Sequence, residues 1–562
     1  MKRRTSRTVI LGTIFLILSV LYTLLLVPQG YLRFMDSYDI LFHMNRIGSL
    51  GNILTSPVNF DYWGGVGNMT SLFYPWLTVL PGFLIFHFAN DPMLDYLILI
   101  GVVTFCTFVS SYFFMKKFSE NTLQSFLFSI IYTLAFFRMA SVFYRAGVAE
   151  FICYIFIPML FYEFYQLLVG KFSKWPLFAL AFTLITLTHP LTAFTTVIIM
   201  VPILLLVLFS KRAHSIKYWL HLSLSGVEAI AMVLLTTIGF TLPMYQQQKY
   251  IPVNRPAVVN LAQTAKDPIK LFQDALSTDL RNYSFGIIMI LALIFLVIFI
   301  WKDKLVYKMV GIEMLLALLL STNIIPWAKL QDTFFNYLQF PWRFLNLFTF
   351  FAAIYLSYGL ARLVNKRSSL LKLLMMVVVL VGCGSQVYVS GMQLSKQITT
   401  AVDPNKLVYH PKNKFVQKYT QTDYYPQRSI EYHAQIRAHQ FLVNGKKVHI
   451  REHSSSNVYS FSYYSQEPAK IDIPVLVYKG LSVTINNEPA HYDISKRGTA
   501  LLKTKPGQNK VQLRYHYSTV AKAALSLNAV ALLVLVWLCI NNGKFLYQKK
   551  DINKVAKNAE KS

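Results

Sequence analysis

Met1-Lys-Arg-Arg-Thr-Ser-Arg7 stands directly ahead of an uncharged run, Val9-Ile-Leu-Gly-Thr-Ile-Phe-Leu-Ile-Leu-Ser-Val-Leu-Tyr-Thr-Leu-Leu-Leu-Val27. A helix over this run is long enough to cross the hydrocarbon layer of a bilayer. It is too long for the apolar part of a secretory leader and has no small-residue cleavage site, so it reads as an uncleaved first membrane helix. Basic residues collect on the cytoplasmic side of membrane proteins, so the Lys/Arg cluster places the N-terminus in the cytoplasm.

The same pattern continues outward from this stretch. Of the 562 residues, 55% are hydrophobic and 14% charged, and the apolar residues come in blocks near twenty long rather than in amphipathic stripes. That is the composition of a chain that spans a bilayer repeatedly. Further Lys/Arg groups occur at Lys116-Lys117, Lys171 to Lys174, Lys211 to Lys217, Lys302 to Lys304, Arg362 to Arg367 and Lys544 to Lys550. With all of these in the cytoplasm, twelve helices alternate without exception: 8–27, 93–115, 121–137, 150–168, 175–191, 193–210, 218–241, 285–301, 305–322, 344–362, 369–391 and 520–540. The apolar stretch Trp76 to Phe88 is too short to cross and would break the alternation, so it is expected to lie in the outer interface.

The chain then divides into a multi-span region, 1–391, with a long first external loop at 28–92. An extracytoplasmic β-rich domain follows at 392–519, then a last helix at 520–540 and a basic cytoplasmic tail at 541–562. The β-rich reading rests on short alternating runs such as Gln440 to Val443 and Val448 to Arg451. They are separated by Asn444-Gly445, a strong hairpin signal. Further turns are expected at Asn486-Asn487, Lys496-Arg497-Gly498 and Pro506-Gly507, giving a β-sandwich-like domain.

The formal net charge of +29 would suggest nucleic acid in a soluble protein. Here much of it sits in short loops where it sets topology, and no nucleic-acid partner is expected. An anionic neighbour such as lipid headgroups or a phosphate-bearing wall polymer would account for the Lys/Arg excess of the β-rich segment, as would ordinary solubility. Cys106, Cys153, Cys383 and Cys539 all fall inside predicted spans, so neither a disulfide framework nor a cysteine metal site is expected. No Walker-type loop, dinucleotide glycine fingerprint, zinc-spaced Cys/His cluster or G-x-S-x-G elbow is present, which disfavours an ATP-driven pump or a cofactor enzyme.

Chemistry should therefore be sought at the outer ends of the spans. Asp36-Ser-Tyr-Asp39-Ile-Leu-Phe-His43-Met-Asn-Arg46 spaces Asp36, Asp39, His43 and Arg46 along one helical face. Two carboxylates, an imidazole and a fixed cation suffice for acid/base work beside an anionic substrate. The same spacing also serves a solvated, self-paired interfacial face. The other outer ends bring Arg145 and Glu150 in Arg-Ala-Gly-Val-Ala-Glu, His189 in Thr-His-Pro, and Arg343 in Gln-Phe-Pro-Trp-Arg. A membrane-anchoring role is open for Arg145 and Arg343, and a structural helix-end hydrogen bond for His189. Glu150 opens an apolar helix and must find a partner. One topology brings all of these groups to the same side, as a site requires.

Asp39-Ile-Leu-Phe-His43-Met-Asn-Arg46-Ile, Leu72-Phe-Tyr-Pro75, Arg145-Ala-Gly-Val-Ala-Glu150, Thr188-His189-Pro190 and Gln339-Phe-Pro-Trp-Arg343 together resemble the bacterial YfhO-like membrane proteins. Their relatives are sometimes labelled 6-pyruvoyl-tetrahydropterin-synthase-related, within the broader GT-C glycosyltransferase class. The resemblance covers nearly the whole chain, and it is the order and membrane placement of short motifs that carry it. It implies interfacial helices in the first outer loop, an acid near the end of the first span, and a sugar donor carried on polyprenyl phosphate. Two acids, Asp36 and Asp39, stand here where one is usual; Asp39, four residues before His43, ranks first. No pterin chemistry is implied.

On this reading Asp39, with Asp36 behind it, is the general base, and Arg343 and Arg145 hold the departing phosphate. His43 and Arg46 orient Asp39 or contact the phosphate region, and Glu150 and His189 bind sugar or acceptor hydroxyls. Asp36, Asp39, Glu150 and His189 could also offer ligands to Mg²⁺ or Mn²⁺. The expected acceptor is a cell-envelope glycopolymer or glycolipid, such as a teichoic-acid-type chain. A secondary transporter or flippase for an anionic lipid-linked precursor is the rival, although charges clustered at one face rather than at the midplane favour the enzyme. A non-catalytic scaffold that binds wall polymer is a third reading.

Overall fold

The computed structural model of the protein describes residues 2–26, 39–85, 92–209, 215–256, 258–401 and 415–559. Asp36 therefore lies outside the described residues, as does part of the Trp76 to Phe88 stretch. Each of the twelve expected segments falls on a helix. After α1 (Lys2–Leu24) and the short α2 (Ile40–Gly48) come α3 (Pro92–Ser119), α4 (Thr122–Thr133), α5 (Val148–Leu168), α6 (Trp175–Thr186), α7 (Pro190–Leu206), α8 (Ile216–Tyr250), α9 (Ile287–Phe299), α10 (Leu305–Leu320), α11 (Leu345–Val364), α12 (Ser369–Ala401) and α13 (Thr519–Ala559). Among the described residues seven helices are long and apolar enough to cross a membrane, and four more are apolar but shorter.

The burial pattern is that of a helical membrane protein. Phe15, Ser19 and Tyr22 form the buried face of α1, with Phe15 stacked on Phe108 of α3 at 5.1 Å. Val9, Leu16, Leu21 and Leu24 of the same helix stay exposed. Large apolar residues likewise cover the outer faces of α8, α12 and α13, including Leu234, Val378 and Leu533. In water such a surface would aggregate; against lipid it is the expected solvent face. α4 is the central helix, enclosed by α3, α11 and α12.

Several helices depart from expectation; the largest departure is α13, which runs on to Ala559 through most of the segment expected as a tail at 541–562. The segment expected as one helix over 121–137 breaks at Leu134-Ala135, where Ala135 is extended, and then resumes as Phe136–Met139 and a π-helical turn over Ala140–Tyr144. α8 runs on to Tyr250 through Pro243, past the expected end at 241. Its polar end is seated: Gln246 Oε1 accepts from Ser518 Oγ at 2.6 Å and Gln247 Oε1 from the Lys479 amide at 3.2 Å. α12 continues past 391 to Ala401.

Two five-stranded antiparallel sheets make up the β-rich part, in the orders β2-β1-β5-β9-β8 and β3-β4-β10-β6-β7. The strands are β1 (Phe441–Val443), β2 (Lys446–Val448), β3 (Glu452–Ser455), β4 (Val458–Ser465), β5 (Ala469–Leu476), β6 (Leu481–Ile485), β7 (Glu488–Pro489), β8 (Tyr492–Ile494), β9 (Thr499–Thr504) and β10 (Gly507–Tyr515). β1 and β2 pair across Asn444-Gly445, both at positive φ, the primed turn whose twist suits a hairpin. β10 buries Asn509, Val511, Leu513 and Tyr515 in strict alternation, one face inward.

β5 is buried on both faces from Ile471 onward, because the first loop covers its outer side. Val58, Phe60, Val66, Met69 and Phe73 of that loop share one hydrophobic core with Tyr459, Ile473, Val475 and Tyr515 of the strands. The Leu476 amide donates to the Val66 carbonyl at 2.9 Å, and Asn52 reaches Ser456 and Asn457. The first loop and the sandwich are thus one packed unit sitting on the helical part.

Candidate active site

Asp39 is the residue before α2, and its backbone amide donates to the carbonyl of Arg145 at 3.2 Å. Its carboxylate does not cap the helix. Instead Oδ2 lies 3.5 Å from Arg145 Nε. The side chain keeps 48% of its surface accessible although protein surrounds it, as in a group that lines a recess. Removal from bulk water raises its pKa above the ordinary carboxylate value; Arg145 and then Arg343 oppose the shift, and Glu150 adds to it.

Arg145 is delivered by an unusual backbone path. The π-turn closes with the Arg145 amide donating to Ala140 at 2.9 Å; Ala146 then takes a positive φ, and the Gly147 amide returns to Ser141 at 2.9 Å. Such π-turns and strained residues concentrate at functional sites. The tight path folds Arg145 back onto Glu150, with which it forms a buried ion pair. Glu150 also accepts from Ser141 Oγ at 3.1 Å. Burial acts against the charge on Arg145, but Glu150 and Asp39 more than offset it, so its pKa is raised.

Arg343 arrives from the opposite side of the bundle on a 3₁₀ turn, Pro341–Phe344, which proline starts at its first position. Its Nη1 donates to the Leu338 carbonyl at 2.7 Å and to Gln339 Oε1 at 3.0 Å, while its buried Nε has no hydrogen-bond partner. Trp342 beside it stacks on Tyr283 at 4.6 Å, and the Arg145 guanidinium sits 5.3 Å from the same indole.

His43 and Arg46 lie on the buried face of α2. Arg46 Nη1 is 3.4 Å from His43 Nδ1. A guanidinium can only donate, so Nδ1 accepts and the imidazole is the neutral Nε2–H tautomer. Burial, then the charges of Arg46, His189 and Arg145, hold the His43 pKa well below its usual range. Arg46 is fully buried; it donates to the Pro75 carbonyl and lies 3.9 Å over the Tyr74 ring. It pins the Leu72-Phe-Tyr-Pro75 stretch and is turned away from Asp39. His189 precedes α7, with Nδ1 at 2.7 Å from Thr192 Oγ1. Burial, then Arg343, Arg145 and Arg46, keep it neutral as well.

The seven predicted groups among the described residues therefore converge from four chain segments, but not in equal capacities. Asp39 is accessible, Glu150 is committed to Arg145 and Ser141, and Arg46 is anchored on Pro75 and Tyr74; Arg46, Arg145 and Arg343 each keep a buried Nε without a hydrogen-bond partner. Among the described residues no group of three or more His, Cys, Asp or Glu is arranged to hold a metal ion. With Glu150 engaged by a guanidinium and a hydroxyl, the described members of the expected donor set, Asp39, Glu150 and His189, do not form a site for Mg²⁺ or Mn²⁺, and no step through a metal follows.

Sequence reasoning missed the part that comes from residues 417–425. Trp63 packs near Tyr419 at 6.5 Å, and Phe73 stacks on Tyr424 at 5.3 Å. Asp423 accepts from Gln421 Nε2 at 3.3 Å; burial and then the charge of Asp39 raise its pKa. A second carboxylate thus faces the same recess from nearly four hundred residues away. No local signal in Thr422-Asp-Tyr-Tyr-Pro426 announces this.

A family model described as 6-pyruvoyl-tetrahydropterin synthase related domain, membrane protein, matches residues 73–390, more than half of the chain. The matched range includes Arg145, Glu150, His189 and Arg343 and begins after Asp39, His43 and Arg46. No curated protein matches the chain.

Proposed function

We propose that this protein, which belongs to the 6-pyruvoyl-tetrahydropterin-synthase-related family of membrane proteins, is a glycosyltransferase. It would move a sugar from a polyprenyl-phosphate donor to a cell-envelope glycopolymer or glycolipid, of the teichoic-acid type, at the outer face of the membrane. In this reading all twelve apolar segments cross the bilayer in a GT-C-like arrangement, both termini are cytoplasmic, and the recess and β-rich part lie outside. The observation that carries it is the ion pair of one accessible carboxylate, Asp39, with Arg145, in a partly dehydrated recess within the field of a second cation, Arg343.

Asp39 takes the proton of the acceptor hydroxyl as the acceptor oxygen bonds to the anomeric carbon. The bond from that carbon to the donor phosphate oxygen breaks, and the phosphate leaves with its electron pair. The raised pKa makes Asp39 a stronger base than a solvated carboxylate while Arg145 holds its orientation. Arg343, with its uncommitted Nε, faces the growing phosphate charge, which fixed cations stabilise best where water is scarce. Neutral His43 and His189 and the aromatic rings of Tyr283 and Trp342 supply uncharged walls suited to a sugar. Asp423 is placed to accept from sugar hydroxyls.

The test is sugar transfer from a panel of polyprenyl-phosphate donors by purified wild-type and Asp39→Asn protein, with donor binding measured in parallel. Transfer lowered by about 10²–10⁴-fold with donor binding retained is expected. Equal transfer by the two proteins removes Asp39 as base, and no transfer from any donor removes the enzyme reading.

A further inference from the structure

A second feature lies farther along α5 from Glu150, lined by that helix from Pro158 to Leu168. There α3, α4, α5, α7, α10 and α11 enclose a cavity of about 400 Å³, within the range of ~300–1,000 Å³ typical of small-molecule sites. Its walls are almost wholly apolar and aromatic, with Phe128, Phe161, Phe350 and Phe351 among them. Besides the phenols of Tyr162 and Tyr165, the one ionisable group among the described lining residues is the carboxyl of Glu313 of α10. It is only 1% exposed, it lines the cavity, and neither carboxyl oxygen has a hydrogen-bond partner.

An isolated carboxylate in such surroundings is costly whether the surroundings are protein or lipid. Nearby helices carry cheaper arrangements: Asp303 is held by Arg362 at 2.7 Å and by Tyr358 at 3.2 Å. Packing alone would be served better by Leu at position 313. A ligand that brings a donor removes the cost.

We infer that this cavity binds a long-chain lipid whose uncharged or cationic head donates a hydrogen bond to Glu313, its chain lying along the aromatic walls toward Leu305. The apolar walls select a hydrocarbon chain, and the unpartnered carboxyl selects a head with an O–H or N–H. A phosphate head would bring its charge into walls that carry no Lys, Arg or His among the described residues, so the site is distinct from the one proposed above for the lipid-linked donor. It does not depend on that proposal.

Full-length protein in lipid nanodiscs is photolabelled with a diazirine-bearing long-chain primary alcohol, and labelled peptides are mapped by mass spectrometry. The same chain ending in a primary amine, in a phosphate and in a methyl group completes the set. Labelling of α5 and α11 residues around Phe161 and Phe350 is expected from the alcohol or the amine. It should fall roughly tenfold in Glu313→Leu, the equivalent of one lost hydrogen bond, and be abolished by Val310→Phe, which fills the cavity. Glu313→Gln separates the heads, since the amide still accepts from an alcohol but forms no ion pair with an ammonium. The thermal midpoint of the variants reports folding. Labelling by the phosphate or methyl probe equal to that by the alcohol and amine, labelling unchanged in Glu313→Leu, or no cavity labelling in folded wild type overturns the inference.

Discussion

At the scale of single residues, the charge state of the recess depends on how burial is divided. His43 and His189 are both held neutral in the fold, whereas in the unfolded chain they titrate near ~6.5. A lowered folded pKa contributes stability that is present above that value and is lost as pH falls below it, because only the unfolded chain then takes up the protons. The thermal midpoint should therefore drop between about pH 7 and about pH 5.5, with each histidine adding up to ~1.4 kcal/mol per pH unit. His189→Gln should shallow the slope in a pH series of thermal melts. Asp39 has the opposite kind of consequence: the base must be ionised, and its pKa is raised. Transfer should fall on an acid limb that lies above the ordinary carboxylate range, read from a pH–rate profile. Arg46 is a structural cation despite its place in the motif. Arg46→Ala loses the Pro75 bond and the Tyr74 stack and should destabilise by about 3 kcal/mol, measurable by thermal melts with donor-binding affinity as a second readout.

At the scale of elements, periodicity and turn chemistry made most of the secondary structure readable. The twelve apolar blocks became helices because, in lipid, a backbone can satisfy its own hydrogen bonds only that way. Asn444-Gly445 and Asn486-Asn487 became turns because both pairs sit at positive φ. What escaped reading was where helices stop. α8 and α12 extend past their apolar blocks, and for α8 the reason is visible in Gln246 and Gln247, whose partners come from the segment after β10 and from the β5–β6 connection. The π-turn before Arg145 was also illegible, since nothing in Ala-Ser-Val-Phe-Tyr marks it. Gly480 illustrates a local constraint of the β5–β6 connection. At φ +100°, a Cβ there would lie 2.2 Å from the His516 carbonyl oxygen. Gly480→Ala should cost about 2 kcal/mol or more, and hydrogen exchange should show it as lost protection in β6 and β10 ahead of the helices.

At the scale of the whole molecule, the first loop and the strands form one body. Phe60 packs against Tyr459 and Tyr515, and Tyr517 Oη donates to the Ile53 carbonyl at 2.7 Å. Phe60→Ala should destabilise the sandwich by about 3–5 kcal/mol, although the substitution lies nearly four hundred residues from β4. Hydrogen exchange resolved to β4 and β10 checks this; unchanged protection there would show that the loop is only laid against the strands. The same union explains the recess. The loop carries Asp39 and Tyr74, the segment before the strands carries Asp423 and Tyr424, and packing the two together closes one side of the site.

The sequence by itself determined that the chain belongs in a membrane, where its helices fall, which segment folds into strands, and which charged residues gather at one end. These follow from block length, charge placement and two-residue turns, all of which act locally or through the solvent. Only the tertiary structure decided that Arg145 is shared between Asp39 and Glu150, that Arg46 turns to Pro75, that Asp423 joins the recess, and that Glu313 borders an apolar cavity. Hydrogen bonds and ion pairs act over a few ångströms and between segments far apart in the chain, so their choice of partner exists only once the packing has brought those segments together.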